Sequence, residues 1–127
     1  MDNAPSQPEA GGVVDVSPET LAGWVRRGGT IIVDVREDFE YAEEHIEGAV
    51  LVPLSRFDAE GVRGAHGESR VVFQCRSGKR SLTAAAAYLR TGDADETLFH
   101  LAGGIEAWKQ AGLPVNGPGS RGKPASP

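Results

Sequence analysis

A single cysteine, Cys75, excludes an internal disulfide, so packing alone must hold the fold, in keeping with a reducing compartment. The three histidines, His45, His66 and His100, are scattered without metal-ligand spacing, and neither a metal nor another cofactor is expected. Long apolar runs are missing too. None approaches the ~20 residues of a membrane span, which argues against a membrane partner. Basic residues form no stripe with interleaved aromatics, and a net charge of −5 with 6% aromatic residues argues against a nucleic-acid partner. The opening Met1-Asp2-Asn3-Ala4-Pro5 has neither the basic nor the apolar region of a signal peptide, which sets the expectation of a cytoplasmic protein. No internal repeat is visible.

What is present describes one soluble globular domain: 127 residues, 39% hydrophobic and 24% charged. Residues 1–12 are rich in Pro, Ala, Gln and Gly, and residues 116–127 in Gly, Pro and Ser, so neither end can bury enough surface to offset its ordering entropy. Both are expected to be disordered tails around a folded unit at 13–115. Inside it, β-type runs alternate with helical patterns. Val13 to Val16 reads as a strand, and Ser17-Pro18 as an N-cap with proline at N1 of a helix carrying Leu21, Trp24 and Val25 on one face. Gly28-Gly29 ends that helix, and Thr30 to Val35 is a β-branched run of the kind found in strands covered on both faces. A short acidic helix over Glu37 to His45, a strand over Ala49 to Pro53 and a short turn or helix over Leu54 to Phe57 follow. Asp58 to Ser69 reads as looser chain. The strand Val71 to Gln74, an alanine-rich helix over Ser77 to Leu89, the strand Glu96 to Leu101 and a helix over Ile105 to Ala111 complete the pattern. This alternation implies an α/β fold, with a mostly parallel central sheet of about five strands flanked by helices on both faces and a site at the carboxyl ends of the strands.

Cys75 stands at such an end. It opens the run Cys75-Arg76-Ser77-Gly78-Lys79-Arg80-Ser81, between a strand and a helix, where several backbone N–H groups can point at the thiol. Helix N-termini and neighbouring cations favour the thiolate, and Arg76, Lys79 and Arg80 supply the cations. A lone cysteine is more often a buried structural residue, but a polar, triply basic turn is a poor place for one. In an acidic protein this local reversal of charge would draw a small anion to one point. Gly78 is expected to let the backbone approach closely or turn left-handed, and Ser77 and Ser81 either add hydrogen bonds or cap the helix.

Three segments together resemble the rhodanese family of sulfurtransferase domains. The first is Asp34-Val35-Arg36-Glu37-Asp38-Phe39-Glu40-Tyr41 with His45-Ile46-Glu47-Gly48-Ala49 and Val52-Pro53. The second is the loop Cys75 to Arg80, and the third is Leu101-Ala102-Gly103-Gly104-Ile105-Glu106-Ala107-Trp108 with Ala111-Gly112-Leu113-Pro114-Val115. The resemblance implies a rhodanese-like fold in which Cys75 takes a sulfane sulfur from a small anionic donor, becomes a persulfide, and passes the sulfur to cyanide or a thiol acceptor. Arg76, Ser77, Gly78, Lys79 and Arg80 would bind the donor, and the basic loop favours thiosulfate over 3-mercaptopyruvate. Arg80, at the end of the loop, would close the ring. Asp34, Arg36 and Ser81 would support the loop from behind. An Arg36–Glu40 ion pair is expected from their spacing, with Trp24 and Trp108 as core and His45 and His100 as structural histidines. Glu44 departs from the family, which often has glycine before the His-Ile pair, and a different turn is expected there.

Two rival readings are weaker. Cysteine phosphatases and arsenate reductases also seat a thiolate in an anion-binding loop, but they need arginine where this chain has Ser81, one position beyond Arg80. A non-catalytic rhodanese-like binding module usually lacks the cysteine that is present here.

Overall fold

The computed structural model of the chain describes residues 12–92 and 96–118. Five strands form one sheet: β1 (Gly12–Val16), β2 (Thr30–Asp34), β3 (Val50–Leu51), β4 (Arg70–Gln74) and β5 (Thr97–Leu101), in the order β1-β5-β4-β2-β3. Every pairing is parallel. Among the described residues four α-helices connect them, α1 (Pro18–Arg27), α2 (Asp38–Glu43), α3 (Ala59–His66) and α4 (Lys79–Leu89), and α5 (Gly104–Gln110) follows β5. The α/β reading with about five strands therefore holds. At its ends the described fold reaches slightly past the sequence boundaries, because β1 starts at Gly12 and Asn116 bridges His45. The expected tails otherwise lie outside the described residues.

Both faces of the sheet are covered, as the near-continuous β-branched strands require. Leu21 of α1 and Ile105 and Trp108 of α5 pack with Ile32, Val72 and Leu101 on one face. On the other, Val62 of α3 and Ala84, Ala85 and Tyr88 of α4 pack with Val33, Val71 and Phe73. The small side chains of α4 let that helix lie close over the strands. Ser17 caps α1 by accepting a hydrogen bond from the Thr20 N–H at 3.1 Å, with Pro18 in its first turn.

One element differs in kind. The segment read as loose chain carries α3, whose Asp58 cap accepts from the Gly61 N–H at 3.1 Å. Gly61 and Gly64 inside the helix hide it from propensity, Gly67 caps its end, and it buries only Val62. The turn at Glu44 is also explained: its φ of −167° is extended backbone, so no left-handed residue is needed there.

The topology places the site. From β2 the chain crosses through α2 to β3 on one side, and from β4 it crosses through α4 to β5 on the other. The connections of these two neighbouring strands diverge, which opens a crevice at their carboxyl ends. Asp34 closes β2 and Cys75 follows β4 at that crevice.

Candidate active site

Cys75 leaves β4 and at 1% exposure sits at the floor of its loop, against Phe73 and Ala84. It is thus buried, as lone cysteines commonly are, yet its sulfur is not in an apolar cage. Sγ receives the Gly78 N–H at 3.1 Å and the Ser81 N–H at 3.3 Å, and Ser81 Oγ stands 3.6 Å away. Ser81 belongs to the first turn of α4, whose N–H groups have no partners within the helix. Gly78 makes the geometry possible. Its φ of 116° lies in the left-handed region that residues with a side chain rarely adopt, and it lies beside the His100 ring.

The rest of the loop is pinned from behind. The Cys75 carbonyl accepts from the Ile105 N–H at 2.9 Å and from Gln74 Nε2 at 2.6 Å, and the Arg76 carbonyl accepts from the Glu106 N–H at 3.2 Å. The Ile105 and Glu106 donors lie at the start of α5. A side chain on Gly104 would overlap both loop carbonyls, so the glycine pair Gly103-Gly104 is what lets the helix end dock there. In the sequence the pair is legible only as part of the C-terminal motif.

The three loop cations face outward and differ in company. Arg76 Nε donates to Glu106 at 2.8 Å, and both side chains are exposed. Arg80 forms a two-pronged pair with Glu40, at 2.8 and 3.0 Å. That hydrogen-bonded guanidinium holds the Glu40 carboxyl down at about 2, far below its ordinary 4.5, and the carboxylate in turn raises Arg80. Lys79 is exposed and forms no ion pair among the described residues. Ser77 is exposed as well.

The expected Arg36–Glu40 ion pair does not form. Arg36 instead grips Asp34, with Nε 3.0 Å from Oδ1 and Nη2 2.8 Å from Oδ2, and both residues are buried. Its remaining N–H groups bind the Glu44 carbonyl at 2.8 Å and the Glu40 carbonyl at 3.4 Å, which ties the end of α2 to the end of β2. The reason is local. An i,i+4 pair needs both residues on the helix, and α2 begins only at Asp38. Freed from Arg36, the Glu40 carboxylate reaches Arg80.

The two histidines part company. His45 stacks on Tyr41 with ring centroids 3.8 Å apart, a structural role. His100 does not stay out of the site: its Nδ1 lies 3.1 Å from Ser81 Oγ and its Nε2 2.6 Å from Asp15 Oδ1. Its position near the carboxyl end of β5, beside the loop, was the available signal. Trp108 is core, with Nε1 donating to the Pro114 carbonyl at 2.8 Å, and Trp24 is partly buried against the same cluster. A groove of about 530 Å³ runs beside the loop, lined by Phe39, Glu40, Glu43, Arg76, Glu106 and Lys109. Among the described residues no cluster of metal-ligating side chains occurs and no helix is long and apolar enough to cross a membrane.

Comparison with known proteins adds three likenesses and one family. Residues 17–111 match the Rhodanese-like domain. An uncharacterized protein of Synechocystis is 41% identical over 102 residues, which are 80% of this chain and 55% of that protein, so the chain spans little more than half of it. The thiosulfate sulfurtransferase GlpE of Pseudomonas fluorescens is 34% identical over 92 residues, 72% of this chain and 82% of that one. A crystal structure of a thiosulfate sulfurtransferase from Pseudomonas aeruginosa superposes with a TM-score of 0.70 at 32% identity, covering 91% of this chain and 21% of that one.

Proposed function

Because the chain belongs to the Rhodanese-like domain family, we propose that it is a sulfurtransferase in which Cys75 carries the sulfur. The observation that carries this reading is the sulfur at the loop floor with the Gly78 and Ser81 N–H groups aimed at it. Such donors stabilise a thiolate before reaction and the negative charge of a persulfide after it. The Cys75 thiolate attacks the outer sulfur of thiosulfate. A new sulfur–sulfur bond forms, the bond within thiosulfate breaks, and sulfite leaves with the electron pair. Cyanide or an acceptor thiolate then attacks the outer sulfur of the persulfide, and Cys75 departs as thiolate. With no second cysteine in the chain, the sulfur passes directly to the external acceptor.

Thiosulfate, a small dianion, suits the buried sulfur and the basic rim. The cations that meet it are Lys79 and, at the exposed mouth, Arg76, while Ser77 and Gly78 shape the opening. Arg80 acts differently from a ring-closing arginine: engaged by Glu40, it braces the loop against α2. The same engagement weighs against a phosphatase or arsenate reductase, which must present an arginine to the oxyanion. Asp34 and Arg36 support the site from behind by fixing α2. A cytoplasmic setting belongs to the proposal, since it keeps the single thiol reduced between turnovers.

Intact-mass measurement tests the reading. Thiosulfate should add one sulfur atom to the reduced protein, cyanide or a small thiol should remove it, and Cys75→Ser should take up none. A folded, reduced wild-type protein whose mass does not change would overturn the proposal.

A further inference from the structure

Sulfur transfer through Cys75 needs a thiolate, and the thiol proton must go to a specific atom. Behind the sulfur runs an unbroken chain of polar contacts: Cys75 Sγ to Ser81 Oγ at 3.6 Å, Ser81 Oγ to His100 Nδ1 at 3.1 Å, and His100 Nε2 to Asp15 Oδ1 at 2.6 Å. Ser81 is fully buried, and the ring of His100 is buried in a residue 5% exposed, whereas the Asp15 side chain is 69% exposed. The chain therefore runs from a closed interior to water. Four elements contribute, since Cys75 follows β4, Ser81 lies on α4, His100 on β5 and Asp15 on β1, in register with His100.

Counting protons gives this chain a direction. A carboxylate oxygen only accepts, so the short contact to Asp15 places a proton on His100 Nε2. In neutral His100 the other nitrogen, Nδ1, is then an acceptor and takes the Ser81 hydroxyl proton. Ser81 has one proton to give, so with neutral His100 its oxygen faces Cys75 as an acceptor, which suits a thiol. When His100 is an imidazolium, Nδ1–H donates to Ser81 Oγ instead. The hydroxyl proton is then free to point at Sγ or at the Gly78 carbonyl, 3.1 Å away, and a thiolate or persulfide claims it.

We propose that His100, oriented by Asp15, holds the proton that leaves Cys75 and receives it through Ser81. The inference rests on Cys75 being the sulfur carrier. In the step, the Sγ–H bond breaks as its proton passes to Ser81 Oγ, and the Ser81 hydroxyl proton passes to His100 Nδ1. The products are a thiolate and an imidazolium, with Asp15 the counter-charge, and no oxidant or reductant is involved. His100 touches no substrate and is a positioning residue. Titratable groups meeting its ring are Asp15 from β1 and, through Ser81, Cys75 itself. From β4 the residue in register is apolar Phe73, and α5 gives the ring no hydrogen bond or ion pair among the described residues.

The test is the pH profile of Cys75 alkylation by iodoacetamide, with the full chain and no sulfur donor. His100→Gln keeps hydrogen-bonding capacity but cannot store a proton. Its alkylation rate should fall roughly tenfold near pH 6.5, with the midpoint of the profile displaced upward by about one unit, and should rejoin wild type at high pH. Asp15→Asn, at an exposed position that leaves packing intact, should move the midpoint the same way by less. A structural role would scale the rate equally at every pH or leave it unchanged, and either result overturns the inference. Should His100→Gln fail to fold by near-UV circular dichroism, Asp15→Asn decides alone, and an unmoved midpoint sinks the relay. The two proposals fail separately. Persulfide formation with an unmoved profile removes the relay and keeps the sulfurtransferase, whereas a moved profile without sulfur uptake does the reverse.

Discussion

Two arginine–carboxylate pairs flank the cysteine loop, each with a 2.8 Å contact, Arg36 with Asp34 behind it and Arg76 with Glu106 at its mouth. The first pair's side chains are 5% and 0% exposed, the second's 67% and 47%. Distance alone would rank them equal. Burial separates them, because removing one partner from a dry pair strands a charge that water cannot reach, whereas at the surface water replaces the partner. The rear of the site is thus where geometry is held, and the rim is where charge can vary cheaply. Arg80–Glu40, part-buried between α4 and α2, is the intermediate case.

The largest effect should come from Arg36→Met, which leaves Asp34 charged and dry and frees the carbonyls at the end of α2. A loss of about 3–5 kcal/mol in urea unfolding is expected. Adding Asp34→Asn should recover part of it, and a double variant no better than the single would break the comparison at its buried end.

Glu40→Gln should sharpen the middle. Gln can still accept from the Glu37 N–H, but not as a charge partner of Arg80. Because folding lowers the Glu40 carboxyl from its ordinary 4.5 to about 2, its contribution is full above the higher value and is lost as pH falls through the lower one. At pH 7 the variant should be less stable by about 1 kcal/mol. The two proteins should converge as pH drops from 4.5 toward 2, and a gap that persists at the acid end would mean that the pair was not its source.

At the rim, Arg76→Ala and Lys79→Ala should each change stability by no more than about 0.5 kcal/mol. Each should raise the thiosulfate KM a few-fold, Lys79→Ala more, since Arg76 is already half answered by Glu106. Added salt should erase the difference from wild type in a persulfide-formation assay, as exposed charges are screened over ~10 Å at 0.1 M. A salt-independent KM would move the rim out of donor binding.

The order of elements and the place of Cys75 were legible because both rest on local pattern: β-branched runs, caps and a glycine-bearing turn. Helix α3 was not, since two glycines in eight residues and a single buried valine leave little period to read. Arg36 was misassigned because spacing was taken for facing, although the residue lies before its helix begins. His100 was read as structural for a further reason. Its partner Ser81 is 19 positions away and Asp15 is 85, and only the closed sheet brings them together.

That last separation has a consequence for the history of each molecule. Of the described strands β1 is made first and pairs only with β5, the last made, so β1 gains its place in the sheet late, by the slow closure of a long loop. A chain still emerging from synthesis, or stalled partway, carries Cys75 without Asp15 or His100 in position. On the proposed relay, help in forming the Cys75 thiolate thus comes only with the final assembly of the domain.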